Sequence, residues 1–208
     1  MSYENPIDTR QYTYEEWIRF AFDHPCIEHP SDDPWHYTEE YEFICDPGVV
    51  LRYYVRLFRE PLPSLSAYSD EQIEQGLWFI ACHHLPEIFG DKDVSPTERI
   101  ECIEAMPFLF HRFFCDKPLG TICYMWWDLI GHCVEAMPDE QVVDATLHSL
   151  EKILALDSPD CQMSALHGLG HLKHPGKERI IRSYLAQNPE LTDEARAYAE
   201  EAILGTVL

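Results

Sequence analysis

Along this chain a serine, threonine or aspartate repeatedly stands just ahead of a proline or an acidic first turn, and no other feature constrains the fold as strongly. Such a side chain accepts a hydrogen bond from the free N–H groups of a helix start. Proline lacks an N–H that would go unused there, and acids favour the positive end of the helix dipole. Thr13 precedes Glu15 and Glu16, Asp46 precedes Pro47, Ser69 precedes Asp70 and Glu71, Ser95 and Ser158 each precede a proline, and Thr192 precedes Asp193 and Glu194. Apolar residues follow at helical spacing: Leu51, Tyr54, Val55 and Phe58; Ile73, Leu77 and Ile80; and Cys123, Trp126, Trp127, Ile130, Val134 and Met137 after Thr121. The spacing predicts helices from Thr13 to about Phe22 and, in the last third, over 139–156, 159–173, 176–187 and 193–204. Pro107 is expected to kink the helix that opens at Ser95-Pro96, and His83-His84 to close the one that opens at Ser69. Connections of a few residues make neighbouring helices antiparallel. The pattern predicts an all-α single domain of antiparallel helical hairpins, an α-solenoid or an irregular bundle, with about eight helices and no convincing strand.

A chain of 208 residues fits one domain with a substantial core. Its 37 acidic side chains against 15 basic ones give a formal net charge of -22, a field that repels nucleic acid and anionic membranes and attracts basic proteins or cations. The first 46 residues hold 12 of those acids and only 2 basic residues, and they also carry Trp17, Trp35, Tyr37 and other aromatics too numerous for a solvated tail. Residues 1–46 are therefore expected to form an acidic, aromatic-rich helix and wrapping loop packed on a body formed by 47–208. Neither a secretory signal nor a membrane-length apolar run is apparent, so the expected location is the cytoplasm. In that reducing compartment the eight scattered cysteines, with no C-x-x-C pair among them, read as small buried hydrophobes.

Internal similarity is present. Cys161-x3-Ala165-x2-Gly168-Leu169 matches Ala195-x3-Ala199-x2-Ala202-Ile203 at an offset of 34, and Ile130-Gly131-His132 matches Leu169-Gly170-His171 at an offset of 39. Small residues on a helix face let neighbouring helices approach closely, as a stack of hairpins requires. The run Ser164 to Leu172 resembles the second helix of a HEAT-type repeat, and the likeness extends over about residues 120–208. It implies a HEAT-like scaffold that binds partners on a concave surface. Deoxyhypusine hydroxylase, a HEAT-like enzyme, holds iron on His-Glu dipeptides, and this sequence has none, so that activity does not carry over. Tyr124-Met125-Trp126-Trp127-Asp128, together with Ala165 to His171, also resembles an uncharacterised bacterial family.

Several groups could carry chemistry. His167, His171 and His174 fall at i, i+4 and i+7 of one helix, while Asp128 and His132 fall at i and i+4 of the repeat-equivalent helix. Packed side by side, these helices could bring Asp128, His132, His167 and His171 onto one divalent cation. His111 and Cys115 form an i, i+4 pair, but Cys115 ends a helix beside Phe113 and Phe114, where a buried thiol is expected rather than a nucleophile. Arg52, Arg56 and Arg59 form a stripe expected to pair with carboxylates of the N-terminal loop such as Asp32, Asp33, Glu39 or Glu42, an anionic-ligand site being the alternative; Lys173, Lys177, Arg179 and Arg182 read as a solvated face.

The leading expectation is a non-enzymatic interaction module, an adaptor or antitoxin-like inhibitor, that takes a basic protein partner and no cofactor. Asp32, Asp33, Trp35, Tyr37, Glu39 and Glu40 are its candidate contacts. The alternative is a metal-dependent hydrolase or oxygenase that uses the Asp128, His132, His167 and His171 cluster with one divalent transition metal. A structural subunit of a larger assembly is a third possibility.

Overall fold

The computed structural model describes residues 6–26, 34–37, 43–136 and 139–207, without the side chains of 132, 133, 135 and 136. Among them the chain folds as a single all-α domain. Its helices are α1 (Tyr14–Phe22), α2 (Pro47–Arg59), α3 (Pro61–Leu65), α4 (Asp70–Phe79), α5 (Leu85–Gly90), α6 (Pro96–Leu109), α7 (Ile122–Ala136), α8 (Glu140–Leu154), α9 (Pro159–His171), α10 (Lys177–Gln187) and α11 (Asp193–Leu204). The start signals act as their chemistry requires. Thr13, Ser69 and Ser95 each close a capping box with Glu16, Gln72 and Glu98, and Asp46, Ser158 and Thr192 accept N–H groups of the first turns of α2, α9 and α11.

Two details depart from the sequence pattern. Residues Ile7–Asp8 and Phe43–Ile44 form a two-residue parallel ladder, β1 with β2, too short to leave any periodicity. The His83-His84 pair does not close a helix. A π turn over Ile80–His84 carries α4 directly into α5, and a second one over Phe110–Phe114 extends α6. Pro86 has no N–H and crowds the carbonyl one α-helical turn before it, and the wider turn relieves that conflict. Pro107 likewise leaves the Ile103 carbonyl without its helical donor. Ser149 of α8 supplies the missing bond, its Oγ donating to Ile103 O at 3.2 Å.

The packing follows the small residues. α2, α6 and α8 lie side by side, as do α7, α9 and α11; α8 against α9 joins the two rows, and α10 packs on α11 and α8. Trp17, Trp126, Trp127, Tyr54 and Phe58 fill the centre without solvent exposure above 1%. Among the described residues no helix is long and apolar enough to cross a membrane. Among the described residues, two arginines of the α2 stripe pair with carboxylates of neighbouring helices: Arg56 with Glu15 of α1 at 3.1 Å, lying also over the Tyr14 ring, and Arg59 with Glu101 of α6 at 3.3 Å. These carboxylates stand on the helices that flank α2, within reach without a loop; Asp32, Asp33, Glu39 and Glu42 lie outside the described residues.

Candidate metal centre

The centre is built where α7 and α9 touch. A Cβ on Gly168 would stand 2.6 Å from Trp127 Cβ, so only glycine allows this approach. One turn earlier the Ser164 hydroxyl donates to the Cys123 carbonyl at 2.6 Å and fixes the register of the two helices. Asp128 follows Trp127, His167 precedes Gly168, and His171 sits one turn further along α9. One ligating atom from each of Asp128, His167 and His171 lies within 4.8 Å of the others. His171 Nε2 and Asp128 Oδ1 are 3.4 Å apart.

His167 is the most constrained member. It is 2% exposed, its Nδ1 is 2.7 Å from the Tyr198 hydroxyl, and its Nε2 is buried with no hydrogen-bond partner among the described residues. Burial holds its pKa down, the neighbouring His171 adds to the effect, and Asp128 opposes it. The ring is therefore neutral near pH 7, the form that ligates metals. Tyr198 of α11 is in turn 2.6 Å from the Tyr124 hydroxyl of α7, and its own pKa is raised by burial and by that bond. A Tyr198 that donates to Tyr124 presents its oxygen to His167 Nδ1–H, which places the imidazole lone pair on Nε2. Sequence spacing missed both tyrosines; the available signal was Tyr198 set directly before Ala199 on the small-residue face of α11.

Of the four residues read as one cluster, the structure brings Asp128, His167 and His171 together, while the His132 side chain lies outside the described residues. His174 turns away, 2.9 Å from Asp144 Oδ1. Cys115 meets Cys161, at 3.8 Å between sulfurs, and Cys123 lies beside the same Cys161. Three cysteines that look scattered in sequence thus meet at the base of α9. Among the expected partner contacts, Trp35 is 7% exposed and stacks on His24 at 3.7 Å, whereas Tyr37 is 56% exposed. Trp35 is an internal anchor. Asp32, Asp33, Glu39 and Glu40 lie outside the described residues. His84, read as a helix end, is buried, hydrogen-bonded to the Tyr54 hydroxyl, and pushed down to about 3 by burial.

Comparison with protein-family models, with curated proteins and with solved structures gives no match for this chain.

Proposed function

We propose that the protein holds one divalent transition metal on Asp128, His167 and His171, and that this centre serves a metal-dependent hydrolase or oxygenase. The observation that carries the reading is the His167 Nε2, a buried acceptor without a partner among the described residues, on a ring already held from the other side by Tyr198. A polar atom left so costs about 1–3 kcal/mol, which a metal bond would more than offset. The 3.4 Å between His171 Nε2 and Asp128 Oδ1 agrees with the ligand-to-ligand edge of about 3.3–3.4 Å in a tetrahedron with bonds of about 2.0–2.1 Å. Two imidazoles and a carboxylate suit zinc or iron(II) and leave a coordination position open for water or substrate. The metal would supply an activated water or a site for oxygen.

Protein stripped with a chelator and then titrated with cobalt(II) should develop the visible bands of a nitrogen- and oxygen-ligated ion at one equivalent. His167→Leu should abolish them while the fold persists. Weak, non-saturating binding by the wild type, or equal binding by that variant, would refute the centre.

The interaction-module reading is supported by the exposed Tyr37 within an acid-rich segment. It requires an association rate with a basic protein that drops steeply as salt rises.

A further inference from the structure

A second place in the molecule has the features of a ligand site, and it is independent of the metal centre. On α4, Glu71, Glu74, Gln75 and Trp78 fall at i, i+3, i+4 and i+7, one stripe of the helix. That stripe faces the short 3-10 turn Trp35–Tyr37, and together with Pro34, His36 and Tyr37 it lines a cavity of about 400 Å³. The volume falls within the range of small-molecule sites, about 300–1,000 Å³.

Gln75 decides the chemistry of the site. It is 8% exposed, yet its Oε1 has no hydrogen-bond partner among the described residues. A buried acceptor left open calls for a donor. The charge around it has one sign. Glu71 and Glu74 line the cavity, and no lysine or arginine is among its described lining residues. His36 is drawn down to about 4 by burial, then by its neighbours His83 and His24, so it adds no positive charge near pH 7.

The remaining walls are aromatic and held in place. The Tyr37 hydroxyl lies beside Cys82, its ring meets His83 edge-on at 4.9 Å, and the Trp78 side chain lies beside the Glu74 carboxylate. Aromatic surfaces next to carboxylates favour cations over anions and over neutral solutes. A quaternary ammonium would satisfy the charge and the rings but not Gln75, because it has no N–H to give.

We propose that this cavity binds an organic cation bearing N–H groups, an alkylammonium or a guanidinium, with Glu71 and Glu74 as counter-charges, Tyr37 and Trp78 as walls, and Gln75 Oε1 as the acceptor that selects for the N–H. Two sources share that chemistry: a free amine such as a polyamine, and the lysine or arginine side chain of a protein.

Calorimetry and tryptophan fluorescence at fixed ionic strength, with a chelator present so that the metal centre stays out of the reading, test the proposal. The full chain is titrated with n-butylammonium, n-butylguanidinium and tetramethylammonium. Saturable one-to-one binding of the first two is expected, with tetramethylammonium at least tenfold weaker. Gln75→Leu keeps the volume and removes the open acceptor; it should melt no lower than wild type, bind the N–H cations at least tenfold more weakly and lose the preference over tetramethylammonium. Glu74→Gln should weaken all three and serves as a second variant should Gln75→Leu not fold. Spermidine and the blocked amino acids N-acetyl-lysine amide and N-acetyl-arginine amide then separate the sources. Tighter binding of spermidine points to a free polyamine, comparable or tighter binding of the blocked amino acids points to a protein side chain, and both keep the site. The proposal is overturned if neither N–H cation binds saturably, if tetramethylammonium binds equally well, or if folded Gln75→Leu retains wild-type affinity.

Discussion

Replacing Gly168 with alanine sets two effects of known size against each other. Alanine improves the intrinsic helix propensity of α9 by about 1 kcal/mol. Its methyl, however, would stand 2.6 Å from Trp127 Cβ and 2.8 Å from Leu150 Cδ2. Carbon pairs settle at about 3.5–4.0 Å, so each contact falls short by roughly 1 Å. Leu150 Cδ2 is the end of a flexible side chain and can rotate away, but Trp127 Cβ is fixed to the backbone of α7, so the two helices must part. Overpacking of this kind costs about 1–3 kcal/mol, and a contact with backbone-fixed carbon belongs at the upper end, which leaves a net loss of about 2 kcal/mol. For a domain of this size each kcal/mol moves the midpoint by about 2–4 °C, so Gly168→Ala should melt about 4–8 °C lower. Gly131 is the internal control. It lies within α7, and a methyl there would meet nothing within 4 Å among the described residues, so Gly131→Ala should gain about 1 kcal/mol and melt about 2–4 °C higher. Both variants can be compared with wild type by circular dichroism melts in chelator. A Gly168→Ala protein that melts at or above wild type would show that α7 and α9 are not in contact at this point, and the placement of Asp128 beside His167 would fall with it.

Tyr198→Phe leaves the His167 ring without its partner at Nδ1, so metal affinity should fall about 10- to 100-fold with little change in the stability of the metal-free fold; an unchanged cobalt(II) titration would refute the orienting role. His84 and His36 are held by burial at about 3 and about 4, against an ordinary histidine value of about 6.5. The unfolded chain therefore binds protons that the folded chain refuses, so stability should decline as pH falls from about 6.5 towards 3. Urea midpoints at pH 7 and pH 5 should show the decline, and His84→Leu should flatten it. Treatment with diamide, which takes up the two electrons and two protons, should join Cys115 to Cys161; peptide mapping of the oxidised wild type that finds no such link would contradict their contact.

The helices were legible because their signals are local. Thr13, Ser69, Ser95, Ser158 and Thr192 act within one turn of themselves, and the predicted 193–204 lies against an observed Asp193–Leu204. The grouping of Asp128 with His167 and His171 was legible through the offset between two small-residue helices, since a glycine that permits close approach also fixes which neighbours meet. Tyr198 and Tyr124 were not, because a hydrogen bond between side chains of different helices leaves no spacing in the sequence. The same holds for Cys115, Cys123 and Cys161, which converge from three elements. His83-His84 misled for another reason: the pattern that ends an α-helix and the pattern that widens it into a π turn share the same proline, and only the burial of His84 against Tyr54 separates them.

The bond from Ser149 to the Ile103 carbonyl has a consequence for how this sequence can drift. Pro107 creates the vacancy and Ser149 fills it from another helix, so neither residue is free to change first without cost. Loss of Ser149 alone strands a buried carbonyl, at about 1–3 kcal/mol. Once position 107 regains an N–H, the carbonyl is served from within its own helix and the serine becomes dispensable. Related chains should therefore carry proline and a small hydroxyl residue at these two positions together, or neither, and a double substitution Pro107→Ala with Ser149→Ala should cost less than Ser149→Ala alone.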